Sequence, residues 1–192
     1  MQSLPFNAAN SHESEDGAER ATPPPYPPTL IWRHNRENLK KCTLRAVESR
    51  KDLHFFSYPR QTLPDLTNYL LLTLDGSPLT PADSGCGLLL IDGTWRYAEK
   101  MLRALKAGPN SIPPDRCRSV KGYLTAYPRY QVDCQEPSAG LASIEALFLA
   151  YHALGREAET LLKGYYWATE FLERNGLDEK IDRKSEIYYN SF

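Results

Sequence analysis

Leu88-Leu89-Leu90-Ile91-Asp92-Gly93-Thr94-Trp95 is the stretch that decides the fold. An apolar run with no alternation reads as a strand buried on both faces, the pattern of a parallel sheet covered by helices. It ends in an acid, a glycine, a hydroxyl and an indole. A helix follows from Thr94, a good N-cap, to the strong stop at Ala107-Gly108-Pro109. In open α/β sheets ligands bind at the C-terminal ends of the strands. Asp92 and Trp95 are therefore the first residues to consider for chemistry. Read alone, Asp92 also suits the positive end of a helix dipole, and Trp95 also suits a core.

Working outward, Thr29–Trp32, Leu53–Tyr58 (stopped by Pro59) and Tyr69–Leu74 (stopped by Asp75-Gly76) read as three earlier strands. Residues 38–51 read as a turn and a short helix, and Tyr123–Tyr127 as a fifth strand. A helix with the apolar face Leu141, Ile144, Phe148 and Tyr151 runs to Gly155, and a last helix spans about 157–175 before Gly176. Strands interleaved with helices give an α/β class. Residues 1–28, closing in Pro23-Pro24-Pro25-Tyr26-Pro27-Pro28, read as a disordered, proline-rich arm, and 177–192 as a charged tail.

Charge is distributed in blocks. Residues 31–60 carry eight Lys/Arg against three acids, and residues 96–129 eight against two, while the flanking segments are acidic. The overall charge is only −1. A basic face on a neutral protein fits a soluble RNA-modifying enzyme, and ordinary solvated charge fits it as well. The four cysteines and four histidines are scattered with no CxxC pairing, which disfavours a disulfide frame or a metal site. The N-terminal stretch is not apolar, so no secretory signal is expected, and nothing in the sequence approaches about 18 consecutive apolar residues. A cytoplasmic protein with reduced thiols, no membrane and no metal is expected. No glycine-rich phosphate loop or Ser/His/Asp arrangement points to a kinase or hydrolase.

Four segments, in order, narrow the reading: Lys40-Lys41-Cys42-Thr43; Asp92-Gly93-Thr94-Trp95; Tyr123–Pro128 with Leu141-Ala142-Ser143-Ile144-Glu145-Ala146; and Leu161–Asn175 with its Trp167, Phe171-Leu172-Glu173 and Asn175. In these the chain resembles the S-adenosylmethionine-dependent aminocarboxypropyltransferases that modify uridine or pseudouridine in RNA. Lys40–Thr43 and the last helix are similar to the small-subunit rRNA branch. Gly93-Thr94 and Gly140–Ser143 lean toward the DTW-domain tRNA branch. Tyr127-Pro128 stands where the rRNA branch has Asn-Pro, and the tRNA branch's cysteine cluster is absent.

The resemblance implies a SPOUT-like α/β domain over 76–176 with a C-terminal trefoil knot, preceded by a small N-terminal lobe at 29–75. It implies S-adenosylmethionine held by Thr43, Leu90, Ile91, Trp95, Val120, Ala139, Leu141 and Ser143, in a monomer. An aminocarboxypropyl transferase must shield the methyl group and present the side-chain carbon, since selectivity among the three sulfonium carbons is set by position. Trp95 and Leu90 are expected to shield it, and Asp92 to act as base toward a weakly acidic uracil-type N–H. Methylthioadenosine would be released. RNA, rRNA before tRNA, would meet Arg33, Lys40, Lys41, Arg45, Arg96, Arg103, Arg118 and Lys121. The rival readings are a SPOUT-type methyltransferase and a non-catalytic RNA-binding assembly factor.

Overall fold

In the computed structural model, which describes residues 25–128 and 140–177, the apolar run is strand β4, Gly87–Asp92. Around it lie β1 (Thr29–His34), β2 (Leu53–Tyr58), β3 (Tyr69–Pro78) and β5 (Cys117–Ser119), in one sheet of order β2-β1-β4-β3-β5. Every paired neighbour is parallel. Helix α1 (Trp95–Ala107) covers one face, and α2 (Ser143–Ala153) and α3 (Ala168–Asn175) cover the other.

Alternation explains the two cores. Leu88 and Leu90 of β4, Ile31 of β1 and Leu70 and Leu72 of β3 join the core beneath α2 and α3. Leu89, Leu30, Trp32 and Leu71 point the other way, onto Met101 and Leu105 of α1. Helix α2 is apolar nearly all round because it is wedged between the sheet and the following segments; Leu147, Phe148 and Tyr151 are each at most 1% exposed.

Three expectations need correction. The segment 123–127 is not a strand; the fifth strand is Cys117–Ser119, and Gly122 turns the chain away from the ladder with φ 88°. β3 does not stop at Asp75-Gly76 but runs to Pro78, because Gly76 lets β5 approach: a Cβ there would sit 2.5 Å from the Arg118 backbone nitrogen. The last helix is broken, since Gly164 adopts φ 84° and only Ala168–Asn175 is α-helical. It ends on Gly176 in the left-handed conformation, the usual C-terminal stop.

Nor do residues 29–75 form a lobe apart from 76–176. β1 lies between β2 and β4, so both segments share one sheet. The expected trefoil knot is not shown among the described residues, and residues 129–139 lie outside them, with most of the expected arm and tail. Tyr26, at the arm's end, lays its ring 3.8 Å from the Arg156 guanidinium. No described helix is long and apolar enough to cross a membrane.

Candidate functional site

Asp92 is the last residue of β4 and, by alternation from Leu88 and Leu90, faces α2. Directly opposite on β1 stands Arg33, its register partner. Arg33 Nε donates to Asp92 Oδ2 at 2.7 Å and its Nη1 to Glu48. Ser143, the first residue of α2, donates its hydroxyl to Asp92 Oδ1 at 2.8 Å. The Cys42 thiol reaches Oδ2 at 3.6 Å, and burial followed by the charge of Asp92 pushes that thiol up to about 12. It therefore stays protonated at neutral pH and is no nucleophile. Beside it the Thr43 hydroxyl accepts the main-chain N–H of Ile144 at 3.4 Å.

Three of the resembling segments thus meet at one carboxylate, and the fourth is tied in by Glu145. This wholly buried side chain accepts Ala142 N–H at 2.7 Å and Thr125 Oγ1 at 2.6 Å on one oxygen. Its other oxygen accepts Ala126 N–H at 2.9 Å and Tyr165 O–H at 3.0 Å. Asn175 completes the clasp by pairing both main-chain groups of Leu124, at 2.8 and 2.9 Å. Side chains therefore do for 124–126 what a strand ladder does elsewhere, so the segment lines the site without being a strand.

Of the expected cofactor residues, Thr43, Leu90, Val120, Leu141 and Ser143 come together on the α2 side of the sheet edge. Ile91 does not join them. It packs toward α1, because neighbouring strand residues point to opposite faces. Trp95 is half-exposed at the first position of α1, and Thr94 caps that helix without a side-chain bond. Ala139 lies outside the described residues.

Of the expected RNA-contacting residues, Lys40, Lys41, Arg45 and Lys121 are exposed and flank Cys42–Thr43 and Val120. Arg96 and Arg103 are also exposed, along one stripe of α1 about 10 Å long. Arg33 and Arg118 are placed otherwise: Arg33 is bound into the Asp92 cluster, and Arg118 forks onto Asp83 at 3.0–3.2 Å.

Two residues escaped the sequence reading. His34, on the α1 side, is stacked on Tyr97 with centroids 3.9 Å apart; burial and the cations Lys100 and Arg36 hold it below its usual range, hence neutral. Glu37, on the turn after β1, is pushed above the usual carboxylate range, by burial first and by Asp92 second. The main-chain N–H groups of Thr94 and Asn38 oppose that shift, and its Oε2 is buried without a partner among the described residues. No motif marked it; only its nearness to Lys40–Thr43 could have.

A separate cavity of about 340 Å³ opens at the opposite edge of the sheet, between Asp65, Thr67, Asn110, Ser111 and Arg116. It touches none of the convergent residues. Among the described residues no group of three His, Cys, Asp or Glu could hold a metal.

No protein-family model matches the chain, and no curated protein matches it. Among solved structures it is similar to the SAM-dependent rRNA acp-transferase Tsr3 from Vulcanisaeta distributa, with a TM-score of 0.57 and 22% identity over 76% of this chain and 77% of that one. The four convergent segments and this likeness agree on one architecture: the chain has the α/β fold of that transferase, with its parallel sheet edge gathered around Asp92.

Proposed function

We propose that the chain transfers the 3-amino-3-carboxypropyl group of S-adenosylmethionine to a uracil-type ring nitrogen of uridine or pseudouridine in RNA, rRNA before tRNA. The observation that carries this reading is the meeting of Cys42-Thr43, Asp92 and Ser143 at the C-terminal sheet edge, 50 residues or more apart in sequence. The fold likeness to an rRNA acp-transferase supports it. The SPOUT-like knot and the relation to the rRNA and DTW-domain branches belong to the same proposal, as do a cytoplasmic site of action and a monomeric state.

The residues present fit the group donor. Leu90, Val120 and Leu141 offer apolar wall, Thr43 and Ser143 offer hydroxyls, and the carboxylates of Asp92 and Glu37 suit a ligand bearing a sulfonium and an ammonium. Bound there, S-adenosylmethionine supplies an electrophilic carbon next to a positive sulfur. The chain's own part is to shield and to orient, with Trp95 as the wall at the mouth of β4.

Asp92 Oδ2 is committed to Arg33, so the base role falls to Oδ1, which the Ser143 hydroxyl holds at 2.8 Å. Rotation of that hydroxyl frees Oδ1 to take a ring N–H proton. Exposed Lys40, Lys41, Arg45, Arg96 and Lys121 form a rim for phosphates around this edge.

The test is incubation with S-adenosylmethionine and deproteinised ribosomal RNA, followed by chromatography of the small products. Methylthioadenosine, absent with Asp92→Asn, is the expected result. S-adenosylhomocysteine in its place would make the chain a methyltransferase, and no binding of the sulfonium compound by calorimetry would end the proposal.

A further inference from the structure

Native interiors leave few buried polar atoms without partners, so each such atom asks for an explanation. Two stand at the site just described. Arg33 spends Nε on Asp92 and Nη1 on Glu48, but its Nη2 is buried and unpaired among the described residues. Glu37 is oriented by Thr94 and Asn38, yet its Oε2 is likewise buried and unpaired. One is a donor and the other an acceptor, and the charge of Arg33 reaches Glu37. Arg156 also leaves Nε and Nη1 unpaired, but it lies before the start of β4, away from Asp92, with its guanidinium 3.8 and 5.6 Å from the ring centroids of Tyr26 and Tyr151. The Arg33 guanidinium also has a ring beside it, 4.7 Å from the centroid of Phe55, whereas nothing comparable occupies Glu37 Oε2.

A free donor on a guanidinium beside a free acceptor on a carboxyl is the complement of a zwitterion, with one carboxylate and one ammonium on neighbouring carbons. We propose that Arg33 and Glu37 are the receptor for the α-amino acid end of the group donor, Glu37 Oε2 taking its ammonium and Arg33 Nη2 its carboxylate. This rests on the reading of S-adenosylmethionine as the donor and names the part of the site that holds the transferred arm. It also gives specificity a physical source: the arm is pinned at its far end, so the side-chain carbon is held still while Trp95 walls off the rest.

Half-exposed on a turn, Glu37 can swing its carboxyl toward an entering ligand. Without ligand, burial and Asp92 favour its protonated form, against Arg33 and the two N–H groups. An ammonium favours the ionised form. Binding should therefore release a proton in the pH range just below Glu37's raised value, and affinity should fall as pH falls through that range.

The test is titration calorimetry of the whole protein with S-adenosylmethionine, its decarboxylated analogue and methylthioadenosine, in two buffers of different ionisation enthalpy. Wild type should bind S-adenosylmethionine at least about tenfold tighter than either comparator, with a buffer-dependent heat that reports proton release. Glu37→Gln should weaken S-adenosylmethionine about ten- to hundredfold, leave methylthioadenosine within about twofold, and abolish the buffer dependence. The same variant should be at least as stable as wild type above the usual carboxylate range, because the raised Glu37 costs wild type stability as pH rises through it.

Equal affinity of wild type for S-adenosylmethionine and methylthioadenosine overturns the receptor while leaving the proposed function standing. So does a Glu37→Gln variant that binds the donor like wild type, or one that loses both ligands alike. If wild type binds none of the three, the functional reading falls and the receptor with it.

Discussion

Replacing Glu145 with alanine tests whether the wall of the site is held by side chains rather than by a strand. The carboxyl satisfies four donors, of which the main-chain N–H groups of Ala142 and Ala126 belong to residues only 5% and 6% exposed. Each N–H left unpaired in such a place costs about 1–3 kcal/mol. Neither can reach water without opening the joint between α2 and 124–126. Loss of the side chain from a fully packed position adds to this, for a total of about 3–5 kcal/mol, or roughly 10 °C of Tm. That is a large part of the 5–15 kcal/mol typical of a domain. Tyr165→Phe removes one donor and leaves the carboxyl's other bonds, so it should cost only about 1 kcal/mol. Urea unfolding of both variants gives the comparison. A Glu145→Ala loss below about 1 kcal/mol, or equal losses for the two, would refute the idea that this carboxyl replaces a ladder.

Gly76→Ala should destabilise by about 1–3 kcal/mol, since its Cβ would lie 2.5–2.7 Å from Arg118 backbone atoms, whereas Gly122→Ala meets nothing within 4 Å and should cost only the left-handed penalty of about 1 kcal/mol; thermal melts rank them. Asp83 is held below its usual range because, against burial, Arg118 and the Thr80 N–H favour the carboxylate. Its contribution is present above the ordinary carboxylate range and is lost as pH falls through the depressed folded value, so wild type should lose stability with acid more steeply than Asp83→Asn below about pH 4 in denaturant titrations. Removing Lys40, Lys41 or Lys121 should each lower the salt slope of RNA binding by about 0.7–0.9, read by filter binding over a range of salt, while Arg118→Ala should change stability and leave that slope alone.

Much of the fold was legible because its signals are local. The apolar runs at 29–32, 53–58 and 88–91 and the Gly108-Pro109 stop each announce one element, and all four appear close to where they were read. What was illegible depends on groups distant in the chain. Tyr123–Tyr127 has a strand's composition, yet its partners are Glu145 and Asn175 rather than another strand. Gly76 looks like a stop and is instead the residue that admits β5. Arg33 and Arg118 read as surface charge in the sequence, yet Asp92 and Asp83 pair with them. Charge counts along a sequence cannot tell a paired guanidinium from a solvated one.

Contacts between distant parts of the chain also explain the resembling segments. Thr43 accepts an α2 main-chain N–H, Ser143 holds Asp92, Glu145 caps 124–126 and Asn175 pairs Leu124. Each of these residues has a sufficient structural reason to be where it is. These contacts hold the architecture, and in doing so they bring Cys42-Thr43, Asp92 and Ser143 to one edge. Chemistry shows instead where structure is left unfinished. An edge serving only as a clasp would have paired Arg33 Nη2 and Glu37 Oε2, or replaced them with apolar groups at little loss. That this edge keeps both, buried beside a carboxylate already satisfied, is the feature that the clasp does not explain and a charged ligand does.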